Sequence, residues 1–114
     1  MKLEEFYELS GGNFDDVKSR LGNVEMIEKF VKKFALDHSF ERLRNGLCDN
    51  DAKEAFRAAH TLKGVCLNLG FGNFYKPVNE ITELLRAENT ESAKIMFPEV
   101  EKSYNRLVTL IEKL

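Results

Sequence analysis

His60 sits near the centre of the stretch Phe56–Gly70, FRAAHTLKGVCLNLG. On a helix turning about 100° per residue, Ala55, Ala58, Leu62, Val65, Cys66 and Leu69 fall on one side, a stripe wide enough to face a core. His60 then points roughly 160° away from the middle of that stripe. Lys53, Arg57 and Gly64 share its face, Lys63 lies to one flank, and Phe56 and Leu67 lie close by. A neutral imidazole carries a nucleophilic lone pair, and an unperturbed histidine is mostly neutral near pH 7. The pattern therefore predicts a nucleophile aimed at water, beside cations, above a residue with no side chain. A lone histidine on a helix is by itself an ordinary surface residue, and it is the neighbours that single this one out.

The elements that must position this helix can be read in order. Leu3 to Leu9 predicts a short helix that Gly11-Gly12 breaks. Asn13 can cap a second one, with Asp15 and Asp16 in its first turn and Gly22 as a left-handed stop. These two helices, residues 1–22, are expected to form a lid over one end of a core built by residues 23–114. Asn23 can cap a third helix, in which Ile27, Phe30, Val31 and Phe34 recur at i, i+3, i+4, i+7. The phase then shifts to Phe40, Leu43 and Leu47, which predicts a nearly continuous arm from Val24 to Leu47, bent near His38. His38 itself reads as a boundary residue. Asn50 or Asp49 is expected to cap the central helix, and Gly70 to stop it. Asn73 can cap the next helix, on which Phe74, Val78, Ile81 and Leu85 mark the core face; Pro77 then falls in or just past its first turn. Thr90 can cap the last helix, which runs to the C-terminus with a kink or restart at Pro98.

No strand pattern, repeat or low-complexity tract interrupts this. The fold class is all-α: an antiparallel up-down four-helix bundle with short N-terminal helices capping one end, one domain over residues 1–114. Hydrophobic residues make up 43% of the chain, enough for a modest core, and nine Phe with no Trp assign much of it to phenyl rings. A net charge of −2 argues against a nucleic-acid binder held by bulk electrostatics. No apolar run approaches the roughly 18 residues of a membrane span, so no membrane contact is expected and the location expected is cytoplasmic. Cys48 and Cys66 lack metal-like spacing, and both read as buried thiols of a reducing compartment.

The string His60-Thr61-Leu62-Lys63-Gly64, followed by Asn68-Leu69-Gly70, resembles the signature of the histidine-containing phosphotransfer (HPt) domain family. The resemblance implies a four-helix bundle whose exposed histidine accepts a phosphoryl group from an aspartate in a receiver domain, or from a hybrid histidine kinase, and passes it to a response regulator. Lys63 would offset the charge of the arriving group. Gly64, almost directly above His60, would leave room for in-line approach. In this family a polar residue of the next helix, often Gln or Glu, fixes the ring's tautomer. Thr82 falls at that position here, with Asn79 one turn before it and Arg86 one turn after. Threonine is shorter than either, a departure from the family pattern that bears on the orientation of His60 and not on its exposure. Arg57, Lys53, Leu67 and Phe56 would belong to the docking surface, although Phe56 suits packing against a neighbouring helix better.

No P-loop, kinase glycine loop or Walker-type lysine is present, so the expected role is a phosphocarrier that is not an enzyme and does not use ATP. No cofactor is expected, and any Mg²⁺ would sit in the partner receiver domain. Partners would be receiver domains and a sensor or hybrid histidine kinase, with the chain itself a monomer. The alternative is a helical adaptor that binds receiver or kinase domains without carrying phosphate. A metal-binding bundle would want several inward His, Glu or Cys ligands, and the chain has only two histidines, far apart in sequence.

Overall fold

A computed structural model describes all residues, 1–114, as seven helices: α1 Leu3–Ser10, α2 Phe14–Leu21, α3 Val24–Phe34, α4 Ser39–Cys48, α5 Ala52–Leu69, α6 Gly72–Arg86 and α7 Thr90–Glu112. Four asparagine and aspartate side chains at N-cap positions accept an orphan N–H of the helix they precede. Asn13 takes the amide of Asp16 at 3.0 Å, and Asn23 takes that of Met26 at 2.8 Å. The central helix is capped by Asp51, through the Glu54 amide at 3.2 Å, rather than by Asp49 or Asn50. The reason lies in the turn: Asp49 still closes α4, and Asn50 takes the left-handed conformation that reverses the chain. Asn89, rather than Thr90, caps α7 and accepts from Ser92 at 3.3 Å.

The expected continuous arm is two helices. The amides of Ala35, Leu36 and Asp37 turn back to the carbonyls three residues earlier, tightening the last turn of α3. Asp37 then accepts from the Ser39 amide at 2.7 Å and starts α4 afresh. His38 lies exposed in this break, with Nδ1 3.7 Å from Glu41. Gly22 stops α2, but its φ of 96° and ψ of −65° depart from the left-handed helical cap expected there. α6 starts one residue before Asn73, behind Phe71 and with no side-chain cap; the Asn73 side-chain Nδ2 donates to the Leu9 carbonyl at 3.4 Å instead. Pro77 is thus inside α6, where it deprives the Asn73 carbonyl of a helical donor. Ser103 of α7 supplies one, through a long hydrogen bond of 3.4 Å. α7 passes through Pro98 without a restart, and its 23 residues run along most of a molecule 40 Å in its longest dimension.

Each of α4 to α7 packs chiefly on its neighbours in the chain, and α4 also touches α7, making a helical bundle. Five of the nine phenylalanines are buried: Phe6, Phe34, Phe40, Phe71 and Phe74. Phe40 stacks on Tyr104 with ring centroids 3.9 Å apart, and Phe34 meets both Phe71 and Phe74. α1 and α2 contribute Leu3, Phe6, Tyr7 and Val17 to the same core. The turn between them lies directly on the α5–α6 corner: a Cβ on Gly12 would run into the Gly70 carbonyl, and one on Gly72 into that of Gly11.

This seam completes the C-terminus of α5, whose last four carbonyls lack partners within the helix. Gly70 and Phe71 amides serve Cys66. Arg20 of α2 donates to Leu67 at 3.1 Å and to Asn68 at 3.2 Å. Tyr7 of α1 donates to Leu69 at 2.7 Å. Burial holds the Tyr7 hydroxyl protonated well above the ordinary phenol range, against the opposing pull of Arg20. The two thiols differ from one another: Cys66 is buried, but Cys48 is exposed at the end of α4, contrary to the reading of both as buried. Burial pushes the Cys66 thiol up to about 12.

Two outcomes follow. Tyr7→Phe leaves the Leu69 carbonyl without its donor and lowers stability in urea unfolding by about 1–2 kcal/mol. In a native thiol titration at neutral pH, Cys48 reacts at once, and Cys66 reacts only after denaturant is added.

Candidate functional site

α5 buries Ala55, Ala58, Ala59, Leu62, Cys66 and Leu69. The stripe read from the sequence is there, turned slightly so that Ala59 is inside and Val65 only half-buried. With that face fixed, His60 is exposed on the other. Its ring makes a tilted contact with Phe56, centroids 5.8 Å apart at 44°. Phe56 is half-buried, and the guanidinium of Arg86 lies over its ring, 5.1 Å from the centroid. Phe56 therefore links α5 to α6 and forms the floor beside the imidazole.

Lys63, three residues after His60, keeps its side chain only 23% exposed because its ammonium is drawn to Glu83 of α6 at 3.4 Å. The other oxygen of Glu83 takes the Arg86 Nε at 3.0 Å. Arg86, with further help from Lys63, holds the Glu83 carboxyl below the usual carboxylate range. Glu83 went unremarked in the sequence, where attention fell on Thr82 beside it. The signal available was its i, i+3 spacing to Arg86, a favourable pairing on any helix surface.

Gly64 is exposed, and a Cβ built on it would meet no atom within 4 Å. Nothing within the molecule requires glycine there, so close helix packing is not its reason. Thr82 departs from the expectation of a ring-orienting residue. It is fully buried, and its hydroxyl donates to the Val78 carbonyl of its own helix at 2.6 Å. A short β-branched hydroxyl in a helix finds the carbonyl four residues back more readily than a neighbouring helix, and no hydrogen bond joins it to His60. Asn79 is half-buried and makes no side-chain hydrogen bond. Lys53 and Arg57 are exposed on the histidine's face, and Arg57 lies 3.9 Å from Glu54. Leu67 stands 56% exposed one turn beyond Gly64.

The structure thus brings His60, Phe56, Lys63, Glu83 and Arg86 into one patch across α5 and α6. Lys53, Arg57 and Leu67 border it along α5, and Thr82 lies beneath. No three His, Cys, Asp or Glu side chains gather as a metal-binding group. The patch offers an imidazole with open approach, a lysine one turn along the same helix and an arginine of α6 over the adjoining Phe56 ring, a setting for a nucleophile that receives an anionic group.

A family model described as Hpt domain matches residues 25–112. No curated protein and no solved structure gives a significant match to the chain. The matched region spans nearly all of α3 and the whole of α4 to α7, and leaves α1 and α2 outside it.

The open space over Gly64 has a measurable consequence. Gly64→Ala removes a glycine from a helix interior without a clash, so it raises the stability of the isolated protein in urea unfolding by roughly 1 kcal/mol or somewhat less.

Proposed function

The chain belongs to the Hpt domain family, and from that premise we propose that His60 is its phosphoacceptor. Members of this family carry phosphoryl groups on histidine in two-component phosphorelays and work with receiver domains and histidine kinases. In this reading a receiver aspartyl phosphate presents its phosphorus to His60. The imidazole lone pair forms the N–P bond, the acyl-phosphate O–P bond breaks, and the aspartate carboxylate leaves with the electron pair. The reverse step onto a second receiver returns the ring to its free state. Mg²⁺, where needed, is held by the receiver's own acidic residues.

The observation that carries the reading is the pairing of an exposed His60 with a Gly64 that no internal contact explains. In-line attack needs an unobstructed path on the far side of the phosphorus, and a partner's cleft must close over the ring. A residue without a side chain one turn above the nucleophile serves both needs. Lys63 is close enough along the helix to meet the incoming charge, and Arg86 approaches from α6. Lys53, Arg57, Phe56 and Leu67 are assigned to the docking surface around it. The antiparallel up-down order of α4 to α7 belongs to the same proposal. Connectors of two or three residues between helices packed on their chain neighbours support it. Most of the chain's large apolar side chains pack into one core within a single copy, which supports a monomer.

The test uses phosphoryl transfer from a labelled receiver domain, and separately from phosphoramidate, a small donor that releases ammonia. Label should appear on the wild type, be lost in acid and survive base. It should be absent from His60→Gln. Gly64→Ala should slow transfer from the receiver at least about tenfold, the weight of one obstructed approach, while reaction with the small donor changes much less. A receiver that binds the protein tightly yet transfers nothing, with phosphoramidate also inert, would sink the carrier reading in favour of the adaptor.

A further inference from the structure

We infer that Glu83 is a resident counter-ion for the two cations of the site, and that the phosphoryl group on His60 displaces it. Glu83 thereby acts as a positioning residue that sets how strongly the phosphorylated state is held. The inference rests on His60 being the phosphoacceptor.

The geometry is specific. Each oxygen of the Glu83 carboxylate engages a different cation, Lys63 at 3.4 Å through one and Arg86 at 3.0 Å through the other. These cations come from different helices, so the carboxylate bridges α5 and α6 beside the nucleophile. Lys63 stands one turn from His60, and Arg86 lies over the Phe56 ring that itself touches the imidazole. Neither cation makes another side-chain ion pair, so Glu83 holds the entire positive charge available at the site from these two residues. The carboxylate is also held ionised by them.

A phosphoryl group brings about two negative charges to His60. Two anions then compete for the same ammonium and guanidinium. The Glu83 side chain is 49% exposed, and surface ion pairs of this kind are weak and readily exchanged. The phosphoryl dianion offers three acceptor oxygens and the larger charge, so the cations transfer to it and Glu83 turns to water. Before phosphorylation the carboxylate keeps Lys63 and Arg86 ordered and prevents them from facing each other unpaired. After phosphorylation it remains a nearby negative charge that weakens their hold. The phosphoryl group is thus held less tightly than two free cations would hold it, as suits a carrier that must pass it on.

The experiment follows the phosphohistidine by ³¹P NMR after phosphorylation with phosphoramidate, titrating pH for the wild type, Glu83→Gln, Lys63→Gln/Arg86→Gln and the triple variant. In Glu83→Gln no carboxylate competes with the phosphoryl group for the two cations, which favours its dianion. The midpoint of its second ionisation should therefore move to lower pH in Glu83→Gln, with proton affinity falling about two- to threefold. In the background lacking both cations, Glu83→Gln should produce little of that change. An unmoved or raised midpoint in Glu83→Gln would overturn the inference. So would a full-sized shift that persists without Lys63 and Arg86, because it would mark simple repulsion by Glu83 and not competition for cations. If the wild type forms no phosphohistidine at all, the carrier reading fails first and this inference with it, so the two failures are told apart.

Discussion

The burial of one face of α5 is the constraint on which the rest depends. Ala55, Ala58, Ala59, Leu62, Cys66 and Leu69 leave that helix no freedom to rotate about its axis. Once they are inside, His60 must be outside, and Lys63 and Gly64 must follow it at fixed angles. Ala55 admits the close approach of Gly46 from α4, and α6 on the other side reaches across with Glu83 and Arg86. The chemical side of the helix is thus a geometric consequence of its apolar side, and no separate device is needed to present the nucleophile.

The ends of α5 are held as firmly as its face. Asp51 satisfies its first turn, and groups from α1 and α2 satisfy its last. This explains why two short helices outside the matched family region are integrated into the core. α2 fully buries only Val17, with Phe14 and Leu21 packed part-buried against the core. Arg20 adds directed bonds to carbonyls that would otherwise face solvent, and Gly12 and Gly72 permit the backbone approach that brings those bonds into range.

Much of this was legible in the residues. The i, i+3, i+4 stripes marked the helical segments, though they ran α3 and α4 together as one arm, and the exposure of His60 followed from its angle to Leu62 and Cys66. The glycine over it could be read as open space from the same projection. What was not legible depended on partners distant in sequence or on competition between adjacent residues. Asp51 and Asn89 won their caps over Asn50 and Thr90 because the preceding turns took positive φ at Asn50 and Glu88. The break at Ala35–His38 arose from local i−3 hydrogen bonds that a hydrophobic stripe does not report. Pro77 could sit inside α6 because Ser103, from another helix, answers the carbonyl it orphans. Within the site, alignment favoured Thr82, but its hydroxyl was claimed by Val78, and the residue that spans the two helices is Glu83.

The satisfaction of α5's final carbonyls by Tyr7 and Arg20 also has a dynamic meaning. α2 cannot leave without stripping Leu67 and Asn68 of their donors, and α1 cannot leave without stripping Leu69. Fraying at the end of α5 and departure of the N-terminal pair therefore break the same bonds, which couples segments 47 to 62 residues apart in the chain. Local motion near Leu67 is thereby transmitted to the start of the chain.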